Sequence, residues 1–170
     1  HEVRMARRKW IESLDAQPMD FFVRELEPAW LAARDKLATF VGASAGDLIF
    51  VENATVGMNI VADSFPLAAG DEVLLTDHEY GAVNNTWTFN CQRTGAKYVN
   101  WPMPLPMTTP EAFVDRLWEG VTPRTRVITF SHITSPTALI FPAELICRRA
   151  RAEAGAGDHV CPTARARAGR

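Results

Sequence analysis

The chain has 170 residues, 47% of them hydrophobic and 22% charged, with a formal net charge of −2. That is the composition of about one globular domain, and the near-neutral balance argues against nucleic acid or an anionic membrane surface as a partner. No apolar run approaches the ~20 residues that a membrane-spanning helix needs.

The first residues, His1-Glu2-Val3-Arg4, include neither an initiator Met nor an apolar signal core, so the sequence is expected to begin inside a longer protein. Cys91, Cys147 and Cys161 are scattered, odd in number and form no Cys-x-x-Cys, which disfavours a disulfide framework or a zinc site. The expected setting is a reducing cytoplasm, with Cys91 and Cys147 on helix packing faces. In Glu2 to Ala16, Val3, Trp10, Ile11 and Leu14 recur near helical spacing, with Arg7, Arg8 and Lys9 between them. Pro18 ends that helix. Phe21-Phe22 opens the next apolar patch. Pro28 fits the first turn of a helix through Trp30, Leu31, Leu37, Phe40 and Val41, and Gly42 is its stop signal. So many aromatics ahead of any sheet need a surface to pack on, and a partner subunit is one candidate.

From Asp47 onward strands alternate with helices. Leu48 to Val51 reads as a short buried strand that turns at Glu52-Asn53 into a helix from Ala54 to Phe65. Asn53 is a good N-cap type and Thr55 sits in the first turn. A helix start leaves N–H groups without partners and carries partial positive charge, so it can seat a phosphate. Small Ala54 admits an anion, Thr55 adds a hydroxyl donor and Gly57 allows close packing. An ordinary capped helix is the other reading of the same residues. Gly70-Asp71 is a turn, Glu72 to Thr76 a strand, Tyr80 to Arg93 a helix ended near Gly95, and Lys97 to Trp101 a strand. A proline-rich loop, Pro102 to Pro106, leads to a helix started by Thr109-Pro110-Glu111. Arg126 to Ser131 is a strand and Pro142 to Glu153 a helix.

This alternation implies an α/β fold with a mainly parallel sheet and helices on both faces. Ligands then collect beyond the carboxyl ends of the strands. Three expected strand ends carry polar clusters: Glu52-Asn53-Ala54-Thr55, Asp77-His78-Glu79-Tyr80 and Ser131-His132-Ile133-Thr134-Ser135. No Gly-x-Gly-x-x-Gly and no Gly-x-x-x-x-Gly-Lys-Ser/Thr follows a strand, which disfavours dinucleotide and nucleotide sites.

Four pieces stand in an order that carries a resemblance. They are Phe21 to Leu26, Asn53 to Asn59, Gly70 to Leu74 running on to Glu79-Tyr80, and Ser131 to Thr137. From about Arg4 to Gly155 the chain resembles the class V aminotransferases, fold-type-I pyridoxal-phosphate enzymes. Its likeness is to the subgroup of isopenicillin N epimerase, cysteine desulfurase-like enzymes and carbon–sulfur lyases. The resemblance implies part of a three-layer α/β/α large domain, a pyridoxal 5'-phosphate cofactor, amino-acid substrates and a homodimeric parent. It implies that Ala54 and Thr55 hold the cofactor phosphate, that Tyr80 stacks on the pyridine ring, and that Ser135 approaches the phenolic oxygen. Relatives often carry Asn at the Ser135 position and Gly where this chain has Ala138. His132 reads either as a catalytic group or as a structural histidine. His78 and Glu79 read either as acid–base partners or as a solvated loop.

The family's chemistry needs a lysine for the Schiff base and an acid at the pyridine nitrogen. Lys9, Lys36 and Lys97 are the three lysines, and none follows Ser135. Asp158 comes too early for the acid, with no apolar strand before it. Pro162-Thr163-Ala164-Arg165 can be encoded CCG-ACG-GCG-CGN, which two bases later reads Asp-Gly-Ala, the family's acid motif. The tail from about Ala156 is thus either an out-of-frame stretch or a disordered terminus. The expected layout is an N-terminal helical segment (1–45), the first part of the cofactor domain (46–155) and an aberrant tail (156–170). On this reading the chain is a fragment, inactive alone for want of the lysine. The alternatives are a non-catalytic protomer that pairs with a full-length relative, and an unrelated doubly wound binding domain.

Overall fold

The computed structural model describes residues 1–107 and 109–154. They form two compact units that divide between Phe50 and Val51. The expectations for the tail and for Asp158 lie outside the described residues.

The first unit is helical: α1 (Glu2–Ala16), α2 (Pro18–Asp20), a π-helical turn (Phe21–Glu25) and α3 (Leu26–Val41). Gln17 breaks α1 at φ −145°, because the residue before a proline is pushed out of the helical region. The helix resumes at Pro18, where a missing N–H costs nothing. The wide turn at Phe21 was not legible in the sequence. Phe21 is buried there, with its ring edge-on to Trp10 at 6.1 Å and to Phe22 at 5.6 Å. Gly42 ends α3 in the left-handed region at φ 71°, as its position predicts.

The second unit contains α4 (Ala54–Ser64), β1 (Glu72–Thr76), α5 (Gly81–Thr94), β2 (Lys97–Trp101), α6 (Pro110–Trp118), β3 (Thr125–Thr129) and α7 (Ala143–Ala154). The strands form one parallel sheet in the order β2-β1-β3. Alternate side chains of a strand face opposite ways. Leu74, with its neighbours Val99 and Ile128, therefore faces a core made by Phe113, Val114 and Leu117 of α6 and Ile146 of α7. Val73 and Leu75, with Tyr98 and Val127, face Ala62 of α4 and Trp87 and Cys91 of α5. The result is three layers, helix, sheet and helix, as the strand–helix alternation requires.

The caps are those the sequence calls for. Asn53 Oδ1 accepts from Val56 N at 2.9 Å, Thr109 Oγ1 accepts from Ala112 N at 3.2 Å, and Gly95 ends α5 at φ 77°. One expected element does not form. Leu48 to Val51 is unpaired, and Ile49, Phe50 and Val51 are exposed. Its apolar residues make it look like a strand, but a strand exists only where a neighbour supplies hydrogen bonds, and no described residue pairs with it.

At the amino edge of the sheet, Glu72 is 2% exposed. It accepts from Thr122 Oγ1 at 2.6 Å and from Arg124 Nη2 at 3.0 Å, with Lys97 Nζ at 3.7 Å. The Thr122 and Arg124 hydrogen bonds hold its carboxyl below the usual carboxylate range, against the opposing pull of burial. A carboxylate lowered by folding stabilises the native state above its unfolded pKa of about 4.3, and that contribution fades as pH falls through the depressed native value. Arg124 and Lys97 are themselves largely exposed, so solvent screening limits the gain. Glu72→Gln should cost about 1–2 kcal/mol at pH 7 and should lessen the loss of stability on acidification. Urea midpoints of both proteins between pH 7 and pH 3 measure both effects; an unchanged acid dependence would count against this role.

Candidate functional site

The carboxyl edge of the sheet carries a different chemistry. After Thr76 the chain runs through Asp77-His78-Glu79 to Tyr80, the N-cap of α5. Glu79 is 6% exposed. Its Oε1 accepts from Thr76 Oγ1 at 2.8 Å and from Ser131 N at 3.0 Å, and its Oε2 accepts from Ser131 Oγ at 2.6 Å. His78 is also buried; Nε2 lies 3.2 Å from the Met103 carbonyl and Nδ1 3.5 Å from Thr137 Oγ1. Neither residue lies in a solvated loop. They turn to different partners, so they are not an acid–base pair. Asp77 Oδ1 accepts from Met103 N at 2.9 Å and so fixes the loop after β2. Burial pushes the Tyr98 phenol up, and the negative charge of Glu79 adds to that shift.

The loop after β3 is folded on Thr134, which is buried. Its Oγ1 lies 2.7 Å from Thr137 Oγ1 and accepts from Leu139 N at 3.1 Å. Thr134 N donates to Leu139 O at 3.0 Å, and Ala138 N donates to Thr134 O at 2.9 Å. This tight turn sends Ala138 into the left-handed region at φ 53°, which is where glycine is favoured. Ser135 is exposed at the top of the turn. His132 is exposed too; its carbonyl accepts from Phe141 N at 2.8 Å.

The third cluster belongs to a helix start and not to a strand end. Asn53 Oδ1 takes the Val56 N–H and the Asn53 carbonyl takes that of Gly57 at 3.1 Å. The expected anion seat therefore narrows to the N–H groups of Ala54 and Thr55 and the exposed Thr55 hydroxyl. Helices α4 and α5 pack side by side, pointing the same way. Thr86 Oγ1 donates to Asn59 Oδ1 at 3.0 Å, Asn90 Nδ2 to Asp63 Oδ1 at 3.4 Å and Arg93 Nη2 to Asp63 Oδ1 at 3.1 Å. The first two pairs share one offset of 27 residues. Carried back about a turn and a half, that register sets Ala54 level with Gly81, beside Tyr80. The two helix starts thus lie at the same end of the layer. Tyr80 is 59% exposed. Since β1 pairs with β3 through Leu75 and Thr129, the Ser131–Ser135 segment leaves the next strand end along.

Glu79 and Thr134 hold this edge together, and the sequence did not single out either role. A Thr76-x-x-Glu79 spacing was visible; its link to Ser131, 52 residues on, was not. Lys97 lies at the start of β2, paired with Glu72 at the opposite edge of the sheet. Lys9 and Lys36 lie in the first unit. Among the described residues no cluster of His, Cys, Asp and Glu could hold a metal, and no helix is long and apolar enough to cross a membrane.

The aminotransferase class-V family matches residues 20–160, and the chain belongs to that family. Its members use pyridoxal phosphate and act on amino acids. An isopenicillin N epimerase of Amycolatopsis lactamdurans is 38% identical over 139 residues, covering 80% of this chain and 35% of that protein. A probable cysteine desulfurase of Vibrio cholerae is 34% identical over 122 residues, covering 69% of this chain and 30% of that protein. Among solved structures, a C-DES variant with glycine covalently linked to its PLP cofactor superposes with a TM-score of 0.65 at 25% identity, covering 84% of this chain and 40% of that one. The chain thus spans about a third of the length of these curated relatives. The fold is that of the fold-type-I large domain, in part, preceded by helices.

Ala138 supplies a direct test of the loop geometry. Left-handed backbone costs a residue with a Cβ about 1–2 kcal/mol, offset in part by the greater chain entropy of glycine when unfolded. Ala138→Gly should raise stability by about 0.5–1 kcal/mol, read as a higher urea midpoint at unchanged slope. A lower midpoint would show that the turn is not held as described.

Proposed function

We propose that this chain supplies the phosphate-holding and ring-stacking part of a pyridoxal-phosphate enzyme that acts at the Cα or Cβ of an amino acid, by epimerisation, carbon–sulfur lysis or desulfuration. The observation that carries this reading is the parallel packing of α4 and α5. Its register supports setting the start of α4, whose Ala54 and Thr55 N–H groups have no partner among the described residues, level with the start of α5 and half-exposed Tyr80, at the sheet edge where ligands of parallel folds collect. That donor set fits a phosphorylated aromatic cofactor: Ala54 and Thr55 would hold the phosphate, Tyr80 would stack on the ring and Ser135 would approach its phenolic oxygen. When bound, the cofactor supplies an electron sink for bonds broken at the substrate's Cα. The protein's share is to hold the anion with N–H dipoles and one hydroxyl, and to cover one ring face with Tyr80.

The expected domain layout belongs to this proposal, with residues 46–155 as the first part of the cofactor domain. So does a cytoplasmic setting, in keeping with the free thiols of Cys91 and Cys147. Pairing into a dimer, with a second copy or a longer relative, is supported by the first unit, where Phe22, Val23, Trp30 and Phe40 are exposed, Phe40 at 87%.

Two measurements test the site. Thr55→Val keeps the shape and removes one donor to a charged group, so it should weaken pyridoxal phosphate about ten- to a hundredfold and leave unphosphorylated pyridoxal unchanged. Tyr80→Ala should weaken both ligands, because it removes stacking and not a phosphate contact. Absorbance titrations of both ligands against both variants separate the roles. If Thr55→Val weakened the two ligands equally, the residue would be supporting the helix and the phosphate assignment would fall.

The 170-residue chain by itself should turn over neither cysteine nor alanine faster than free pyridoxal phosphate does. Lys97, the lysine of the second unit, stands at the far edge of the sheet, and loss of a covalent-catalysis group costs many orders of magnitude. Enzyme-like turnover by the purified chain, in a sulfide-release or racemisation assay, would overturn this.

A further inference from the structure

We propose that Glu79 is a positioning residue: its buried carboxylate clasps the end of β1 to the start of the loop after β3, and so fixes where Tyr80 and the Ser135 loop stand. The inference rests on the reading of this edge as a pyridoxal-phosphate site. Thr76 is the last residue of β1, and Ser131 is the second residue after β3. Glu79 joins the two through three hydrogen bonds of 2.6–3.0 Å. Tyr80 is the next residue in the chain, with its backbone set as the α5 N-cap at φ −67°, ψ 139° and its ring left half exposed. The clasp therefore fixes the backbone under the ring without covering the ring.

The comparison with Glu72 makes this more than a generic buried tie. Both carboxylates sit at the ends of β1, and both reach toward β3. Glu72 is compensated by Arg124 and Lys97. Among the described residues, no cation pairs with Glu79. Its partners are two hydroxyls and one backbone N–H, with the start of α5 beside it. A buried carboxylate without a counter-cation is costly to keep. Its return is directional: hydroxyl and amide donors fix the orientation of both segments.

The test uses the full chain with Glu79→Ala, Glu79→Gln and, as a control at the opposite edge, Glu72→Gln. Pyridoxal phosphate and pyridoxal are titrated by absorbance, and amide hydrogen exchange is followed without ligand at Val83, Ser131 and Leu74. Glu79→Ala should weaken both ligands about tenfold or more and speed exchange at Val83, whose N–H donates to the Tyr80 carbonyl at 2.9 Å, and at Ser131 about tenfold relative to Leu74. Glu79→Gln should stay within about threefold of the parent, since an amide still accepts from Ser131 N and can donate to Ser131 Oγ. Glu72→Gln should lower stability and leave both affinities unchanged. Exchange at Val83 and Ser131 that ignores Glu79→Ala overturns the proposal, as does a loss of affinity that Glu72→Gln reproduces. If the parent chain binds neither ligand, the cofactor reading fails, and the clasp is decided by the exchange rates alone.

Discussion

The burial of β1 on both faces governs the second unit. A central parallel strand has no solvent side, so each of its five residues must be matched above and below. Leu74 commits one face to α6 and α7, and Val73 and Leu75 commit the other to α4 and α5. A shift of one residue would exchange the two faces and leave each core with side chains of the wrong shape. Once β1 is fixed, the strand ends are fixed, and with them the loops that carry the polar residues.

Each end of β1 is tied by a buried glutamate, and the two ties differ in kind. The amino edge is neutralised by cations on β2 and before β3. At the carboxyl edge the charge is met by two hydroxyls and one backbone N–H. Fixed dipoles hold their orientation without long flexible side chains. That contrast distinguishes the two edges of the sheet.

The first unit follows another logic. It buries few of its apolar side chains within itself: Phe21 and Ala38 are buried, while Phe22, Val23, Trp30 and Phe40 are exposed. Helices with this much apolar surface gain most of their stability from what they pack on.

The sequence by itself determined the order of the elements from α4 to α7, the parallel α/β class, both left-handed glycine stops, the Asn53 and Thr109 caps and the family. These depend on local rules: caps, glycine stops and periodicity act within a few residues. Ala54, Thr55, Tyr80 and Ser135 were marked from the sequence because short motifs survive as motifs. Tertiary structure alone decided three other matters. Leu48 to Val51 has the composition of a strand but no partner, and a strand is defined by its partner. His78 and Glu79, adjacent in sequence, were separated into different hydrogen-bond networks by loops arriving from β2 and β3. Glu79 was joined to Ser131 across 52 residues, a contact that exists only after the sheet has brought two strand ends together, so no local pattern in the chain could announce it.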